Sequence, residues 1–460
     1  MELSPSQRVL DSIPPEIINI IMDFACNGVY TQIEDRYMAP HNLRLVSKAW
    51  DAIASSTPNL WSSLCIFTSS WEPIEYHARL KHLEKRVARA GRLHIDVHLK
   101  VSTYEGAYEH CEDEVDSDGY EVPRSRRTPR EEFVHGLRFL ATFLKNHSLK
   151  WRTFHLEVSD PSWVAKAFLP PSLPNLKSAI ISSTFSPVNS KEHLEDVIEL
   201  RIKNIRAPGL KTIMIKGEIS EIEFDTFDAP SITDITLCCH QDAISDSLLH
   251  LSAFKKLRTL TISQKDWWDD WARQDHLPTT TSLSIILSSL EELDMGGPFK
   301  FDVILDVLRI FQMPRLTSLR IITVMSSFEE LDTPIFLDYP CLRSLVVMGV
   351  WIEDVRFIQS VLKGSQNLTY LALGFYIPPG GQYEAERNDR TMRDLLFSDG
   401  GIPRCPRLLR LETDISQKAS EEISFLLPDI VVLRGFTDCS SGSEVFGDKG
   451  SDGSDEDEEE

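Results

Sequence analysis

The clearest pattern in the sequence is a short apolar segment that returns ten times between residues 171 and 437. Each copy approximates the form P-x-L-x-x-L-x-I/L, whose alternation of apolar and polar positions predicts a β-strand with one buried face. The first apolar position of each copy is its anchor. The ten anchors are Leu176, Leu210, Ile232, Leu257, Leu290, Leu316, Leu342, Leu368, Leu408 and Ile430.

Apolar stripes at helical spacing lie between some of these segments. One stripe contains Phe301, Ile304, Leu305 and Leu308, and another contains Val355, Ile358 and Leu362. Three consecutive steps between anchors are 26 residues long, which is within the roughly 20–29 residue period of leucine-rich repeats. The array resembles such repeats, although its period varies and the usual asparagine is missing. We therefore expect an α/β fold in which an irregular leucine-rich-repeat-like solenoid carries a parallel sheet on its concave face.

The N-terminal residues predict helices. An apolar stripe at i, i+3, i+4 and i+7 indicates an amphipathic helix capped by Asp11 or Ser12, with two prolines in its first turn. The stripe consists of Ile17, Ile20, Ile21 and Phe24. We expect a polar loop over residues 27–40, a second helix from His41 to Thr57, and an extended segment from Leu60 to Phe67.

The chain is expected to have four parts. Residues 1–67 form a helical domain, and residues 68–170 connect it to the repeats through helices at 75–90 and 131–146 and a strand at 93–99. Residues 104–130 contain almost no apolar side chains and are expected to be a disordered insertion. Residues 171–437 form the repeats, and 438–460 form an acidic disordered tail.

Three motifs in the helical region occur in a fixed order. Ile13-Pro14-x-Glu16-Ile17 is followed by Leu43-x-x-Val46-Ser47-Lys48-x-Trp50 and then by Leu60-Trp61. This ordered set resembles an F-box. Proteins in which an F-box precedes leucine-rich-like repeats are substrate receptors of cullin–RING ubiquitin ligases.

The resemblance implies docking on a Skp-type adaptor, and through it on a cullin. A unit of about fifty residues exposes more apolar surface than its own small core can bury, which agrees with a docking role. The expected adaptor-binding residues are Ile13, Pro14, Glu16, Ile17, Ile21, Leu43, Val46 and Trp50. The alternative is that these residues make only internal core contacts.

A protein substrate would be recognised on the outward row of the repeat strands. That row is Met214, Thr236, Thr261, Asp294, Arg320, Val346, Ala372, Glu412 and Arg434. The candidate substrate-binding residues are Asp294, Arg320, Val346, Glu412, Trp267, Trp268 and Trp271. Two alternatives remain open: Asp294 and Arg320 could pair with each other, and the tryptophans could cover an edge of the repeats.

Charge and composition exclude several classes of function. The formal net charge of -22 disfavours nucleic acid as a partner. No apolar run approaches the ~20 residues of a membrane-spanning helix, so we expect no membrane partner and an intracellular protein, cytoplasmic or nuclear. No C-x-x-C pair or catalytic motif occurs, so we expect no metal, no cofactor and no enzymatic activity.

These observations favour a substrate-recognition subunit of an SCF-type ubiquitin ligase, which acts by bringing its substrate close to the ligase. The main alternative is a leucine-rich-repeat scaffold or binding protein without ligase function. A weaker alternative is a hydrolase whose site is hidden in the irregular strand–helix units.

Overall fold

The computed structural model divides into two compact units, Met1–Ser327 and Phe328–Glu460. The described residues are 13–27, 33–68, 76–101, 129–158, 168–183, 199–201, 204–217, 219, 221–224, 227–239, 244, 247–248, 250–264, 284–297, 301–322, 338–350, 355–375, 384–398 and 401–434.

The first helix, α1, spans Pro15–Asn27. The Pro14 carbonyl oxygen accepts hydrogen bonds from the amides of Ile17 at 3.0 Å and Ile18 at 3.1 Å. Pro15 therefore occupies the first helical position, where its missing N–H has no intrahelical partner to lose. The predicted caps Asp11 and Ser12 lie outside the described residues.

The predicted loop over residues 27–40 is wrong for its second half. Helix α2 spans Ile33–Arg44 and includes Pro40, and helix α3 spans Lys48–Ser56. The single helix predicted from His41 is therefore two helices. Ser47 separates them, because it adopts an extended conformation and its Oγ accepts a hydrogen bond from the Trp50 amide at 3.3 Å. Helix α2 was missed because it has no apolar stripe and contains a proline.

The predicted extended segment begins later than Leu60. Pro58–Trp61 forms a 3-10 turn, and strand β1 begins after it at Ser63–Phe67. The predicted helices at 75–90 and 131–146 correspond to α4, Tyr76–Ala90, and α5, Pro129–Asn146. The strand predicted at 93–99 corresponds to β2, Ile95–Val101, and β3, Trp151–Val158, was not predicted. The predicted insertion at 104–130 lies outside the described residues except for its last two, which begin α5.

The remaining elements of the first unit are strands and one helix. They are β4 Ser178–Ser183, β5 Glu199–Arg201, β6 Thr212–Lys216, β7 Glu221–Glu223, β8 Asp234–Cys239, β9 Thr259–Gln264, β10 Ile285–Ile286, β11 Glu292–Gly296, α6 Phe301–Ile310, β12 Phe311–Gln312 and β13 Ser318–Ile322. The main sheet of this unit has the order β1-β2-β3-β4-β6-β8-β9-β11-β13, and its neighbouring strands pair in parallel.

One face of this sheet is buried and the other is mostly polar. In the repeat strands the positions three and five residues after each anchor are buried, as Ile213 and Ile215 in β6 illustrate. The positions between them are half-buried, as Met214 illustrates. The predicted alternation, the parallel sheet and the α/β class are thus confirmed. Both predicted helical stripes also lie on helices, with Ile304 and Leu308 buried in α6.

The sheet extends further towards the N-terminus than the sequence repeat. Strand β4, in the first predicted repeat, pairs with β3, which pairs with β2, which pairs with β1. A second set of short parallel pairings lies four residues before the anchors. It joins Ser172 to Arg206, Arg206 to Asp228, and Ile286 to Gln312. The division into domains at residues 67 and 170 stays a prediction.

The second unit contains four strands and three helices among its described residues. They are β14 Ser344–Val350, α7 Val355–Gly364, β15 Tyr370–Phe375, α8 Glu384–Leu396, β16 Arg410–Thr413, α9 Gln417–Leu426 and β17 Val431–Arg434. The strands pair in parallel in chain order. The residue beside Glu412 on β17 is Leu433. The predicted row is therefore wrong by one residue in its last copy, where it placed Arg434.

None of the helices in the described part of the chain has the length and apolarity needed to cross a bilayer. The predicted disordered tail at 438–460 lies outside the described residues.

Trp61 joins the N-terminal helices to the sheet, and its removal tests that joint. It is fully buried immediately before β1, and its Nε1 donates a hydrogen bond to the Ala54 carbonyl oxygen at 2.7 Å. Trp61→Ala should lower the free energy of unfolding by about 3–5 kcal/mol, because it leaves a large cavity and an unsatisfied carbonyl. Urea denaturation followed by circular dichroism measures this change. The highly exposed Leu45 provides a control, and equal unfolding midpoints for Trp61→Ala and Leu45→Ala would contradict the assignment.

Candidate functional site

The three N-terminal helices and the 3-10 turn share one small core. The buried members are Ile18, Met22, Cys26, Trp50, Ala54, Leu60, Trp61 and Ala90. Ala90 belongs to α4, so the core also includes the element that follows β1. We call the described part of this region, residues 13–27 and 33–61, the box.

Helix α1 is apolar on two faces. Its core face consists of Ile18, Met22 and Cys26, which are all buried at four-residue spacing. The stripe that predicted the helix faces away from this core, with exposures from 40% at Ile21 to 78% at Phe24. This α1 ridge consists of Ile17, Ile20, Ile21 and Phe24. Four large apolar side chains on one exposed face are a typical feature of a protein interaction site.

Seven of the eight predicted adaptor-binding residues fall into two groups, and Trp50 is the eighth. Five of them are exposed, and these are Pro14, Glu16, Ile17, Ile21 and Val46. Ile13 and Leu43 are partly buried against the core of the box. Pro14 precedes α1, and Glu16, Ile17 and Ile21 lie within it. Val46 lies in the turn between α2 and α3.

Trp50, predicted as an adaptor-binding anchor, is buried in the chain on its own. Only 6% of Trp50 is accessible, and it packs with Ile18, Ala54 and the rest of the core. The cap at Ser47 explains this position, because it fixes the first turn of α3 and thereby directs Trp50 inwards. For this residue the burial favours the alternative of an internal core contact, and an adaptor contact stays a prediction.

Sequence reasoning left four large exposed apolar residues of the box out of the adaptor set. Ile20 and Phe24 belong to the α1 ridge, Met38 is 46% exposed on α2, and Leu45 is 84% exposed in the turn before α3. The signal for the first two was present in the apolar stripe. The second apolar face at i, i+4 and i+8 was the missing observation, since a helix with two apolar faces must leave one of them outside a small core.

His41 lies near basic side chains of the box and of α4. Its ring meets the Trp61 ring edge-to-face with centroids 5.3 Å apart. The Arg89 guanidinium lies 4.4 Å from the centroid of the same indole, and that of Arg86 lies 5.5 Å away. Burial, followed by the charges of Arg86, Arg44, Arg89 and His82, lowers the pKa of His41 from 6.5 to about 4. His41 is therefore neutral at physiological pH.

The polar face of the main sheet brings Asp294 and Arg320 together as neighbours. They are register partners on β11 and β13, and Arg320 Nη1 lies 3.3 Å from Asp294 Oδ2. Burial raises the pKa of Asp294, and the pairing with Arg320 opposes that rise. The two side chains therefore pair with each other, as the alternative reading expected. About a third of each side chain is still accessible to a partner.

The predictions that Val346 and Glu412 point to solvent are wrong. Both are buried, with Glu412 only 1% accessible. In the second unit the two faces of β15 and β16 are both largely buried, so alternation along a strand no longer separates core from solvent. One oxygen of Glu412 accepts a hydrogen bond from Arg410, whose guanidinium lies 5.5 Å from the Tyr370 ring centroid. Trp267, Trp268 and Trp271 lie outside the described residues.

A second cluster on the polar face contains His98, His155 and Glu157. His98 and His155 are register partners on β2 and β3, and their rings stack with centroids 4.2 Å apart at 13°. Glu157 lies two positions after His155 and therefore on the same face. Its Oε2 is 3.7 Å from His98 Nε2, while its Oε1 is 2.7 Å from Lys100 Nζ.

The electrostatics of this cluster set its protonation state. The close approach of His98, together with the ion pair to Lys100, lowers the pKa of Glu157 to about 2, despite an opposing effect of burial. Burial, together with the neighbouring His98, lowers the pKa of His155 to about 4. At neutral pH Glu157 is charged and His155 is neutral. Sequence reasoning missed this cluster because 57 positions separate the two histidines, and only strand register brings them together.

Comparison with known proteins adds no relative. No protein-family model matches the chain, and no curated protein gives a significant match.

The lowered pKa of His41 predicts acid sensitivity of the box. The unfolded state binds more protons than the folded state between pH 6.5 and about 4, so this contribution to stability is complete above pH 6.5 and is lost as the pH falls towards 4. His41→Phe keeps a ring against Trp61 without a titrating group. We expect a flatter dependence of unfolding free energy on pH in that window. The exposed His94 provides the control, and a His41→Phe curve no flatter than that of His94→Phe would contradict the prediction.

The Asp294–Arg320 pair should contribute little to stability. A double-mutant cycle with Asp294→Ala and Arg320→Ala is expected to give a coupling energy of at most ~1 kcal/mol, because the pair is partly exposed and screened by salt. Urea denaturation of the four proteins measures it. A coupling energy of several kcal/mol would show instead that the pair is a major structural element of the sheet.

Proposed function

We propose that the chain is the substrate-recognition subunit of an SCF-type ubiquitin ligase. The box would dock on a Skp-type adaptor, and the sheet that follows would recruit a protein substrate. The chain would have no catalytic group of its own and would act by raising the concentration of substrate near the ligase.

The observation that carries the proposal is the α1 ridge next to the ordered F-box-like motifs. A helical unit of this size can bury only one face of α1, and that face is already occupied by Ile18, Met22 and Cys26. The opposite face keeps four large apolar residues accessible, which supports a stable protein partner. The ordered motifs make an adaptor of the Skp type the most specific candidate for that partner.

The buried position of Trp50 changes which residues would form the contact. In the proposal Trp50 and Leu43 support α1 from beneath, and the ridge makes the contact itself. Pro14 and Glu16 would lie at the N-terminal margin of the interface, and Val46 with Leu45 at another margin. Large apolar residues at the centre with polar residues around them are the usual composition of a protein interface.

The substrate side of the proposal rests on the polar face of the sheet. Successive strands of a leucine-rich-repeat-like solenoid would align one row of side chains at about 4.8 Å spacing. In the first unit this row is half-buried and includes Met214, Thr236, Thr261, Asp294 and Arg320. Its mixture of apolar, hydroxyl and oppositely charged groups fits a protein surface better than a phosphate backbone.

A scaffold without ligase function remains the second candidate. The Asp294–Arg320 pair and the core position of Trp50 favour it, because structural roles are sufficient to explain all three residues. The two functions differ in one measurable respect: a ligase subunit binds the adaptor stoichiometrically, and a scaffold does not.

Charged substitutions on the α1 ridge should abolish adaptor binding without unfolding the box. Ile20→Glu with Phe24→Glu places two carboxylates on the exposed face, at residues that are 63% and 78% accessible. We expect adaptor capture by the purified full chain to fall at least ~10-fold, because desolvating an unpaired charge in an apolar interface is costly.

The matched control is Phe425→Glu, which changes an equally exposed phenylalanine in the second unit. This variant should capture the adaptor as the unchanged protein does. Equal capture by the ridge variant and the control would reject the ridge as the docking face. No capture by the unchanged protein would favour the scaffold.

A further inference from the structure

The three-residue cluster on β2 and β3 has the composition of a metal site. His98, His155 and Glu157 each offer one ligand atom, and these atoms all lie within 4.8 Å of one another. Two imidazole nitrogens and one carboxylate oxygen form a donor set that suits Zn²⁺ and related divalent transition metals. Three protein donors leave a fourth position for water or for a group from a partner.

His98 provides the second, independent observation. Only 9% of the residue is accessible, and within the described part of the chain neither ring nitrogen has a hydrogen-bond partner. A buried polar side chain without such a partner is energetically costly, and a role in binding an ion is one established reason for it. The Glu157 carboxylate faces His98 Nε2 at 3.7 Å, which is too long for a hydrogen bond but compatible with two ligands of one ion.

Coordination would require a change in the orientation of the rings. The two imidazoles are nearly parallel, so one or both would have to rotate about the Cβ–Cγ bond to direct a nitrogen of each at the same ion. The Glu157 oxygen that faces His98 is not the one bound by Lys100, so a carboxylate ligand is accessible without breaking that ion pair. The side chain of Glu157 is 19% exposed, which gives an ion a route from solvent.

We propose that His98, His155 and Glu157 bind one divalent transition-metal ion, with zinc as the best fit, on the polar face of the sheet. This site is independent of the proposed ligase function. The competing explanation is a purely structural stack of histidines beside the Glu157–Lys100 ion pair.

Zinc binding to the purified full chain tests the site directly. After treatment with a chelator, equilibrium dialysis against ZnCl2 should give one bound ion per chain, and Co²⁺ should produce visible d–d absorption of a nitrogen- and oxygen-ligated site. His155→Ala and Glu157→Gln should each weaken zinc binding at least ~10-fold. His94→Ala, which removes an exposed histidine just before β2, should bind zinc like the unchanged protein.

Lys100→Met distinguishes the metal site from a structural stack. The ammonium group 2.7 Å from Glu157 repels a cation, so its removal should tighten zinc binding. Circular dichroism establishes that each variant is folded. Unchanged zinc affinity in His155→Ala, or in Lys100→Met, would overturn the site, as would substoichiometric binding by the unchanged protein.

Discussion

In-register parallel pairing of the strands is the constraint on which the rest of the molecule depends. Each strand of the main sheet in the first unit places most of its apolar positions on one face, and the register keeps those positions aligned from strand to strand. A shift by one residue would turn the whole apolar set of a strand towards the polar face. The same register that maintains the buried face also sets which polar side chains become neighbours on the other face.

The box depends on this sheet through Trp61. Its indole fills the space between α3 and α4, receives the guanidinium of Arg89 on its face, and directly precedes β1. Because this joint occupies the buried side of α1, the other side remains exposed. The α1 ridge is therefore a consequence of how the box is attached, and the proposed docking surface follows from the packing of the core.

The sequence predicted those features that depend on local periodicity. Leu316, Leu342 and Leu368 recur every 26 residues, and each lies two residues before a strand of the predicted type. Helix α2 was not predictable, because it lacks an apolar stripe and is stabilised by its neighbours. Val346 and Glu412 were placed wrongly because the burial of a second sheet face is a tertiary property. The pairing of His98 with His155 depends on the register between two strands that are neighbours in the sheet but far apart in the sequence, which no local pattern encodes.

Calorimetric titration of the purified full chain with a purified Skp-type adaptor tests whether the box docks on the adaptor through the α1 ridge. The account predicts a one-to-one complex whose binding enthalpy becomes more negative with temperature, since burial of the exposed α1 ridge gives a negative heat-capacity change. A titration without binding would contradict the claim. A complex that forms with a heat-capacity change near zero would also contradict it, because such a complex would not bury the ridge.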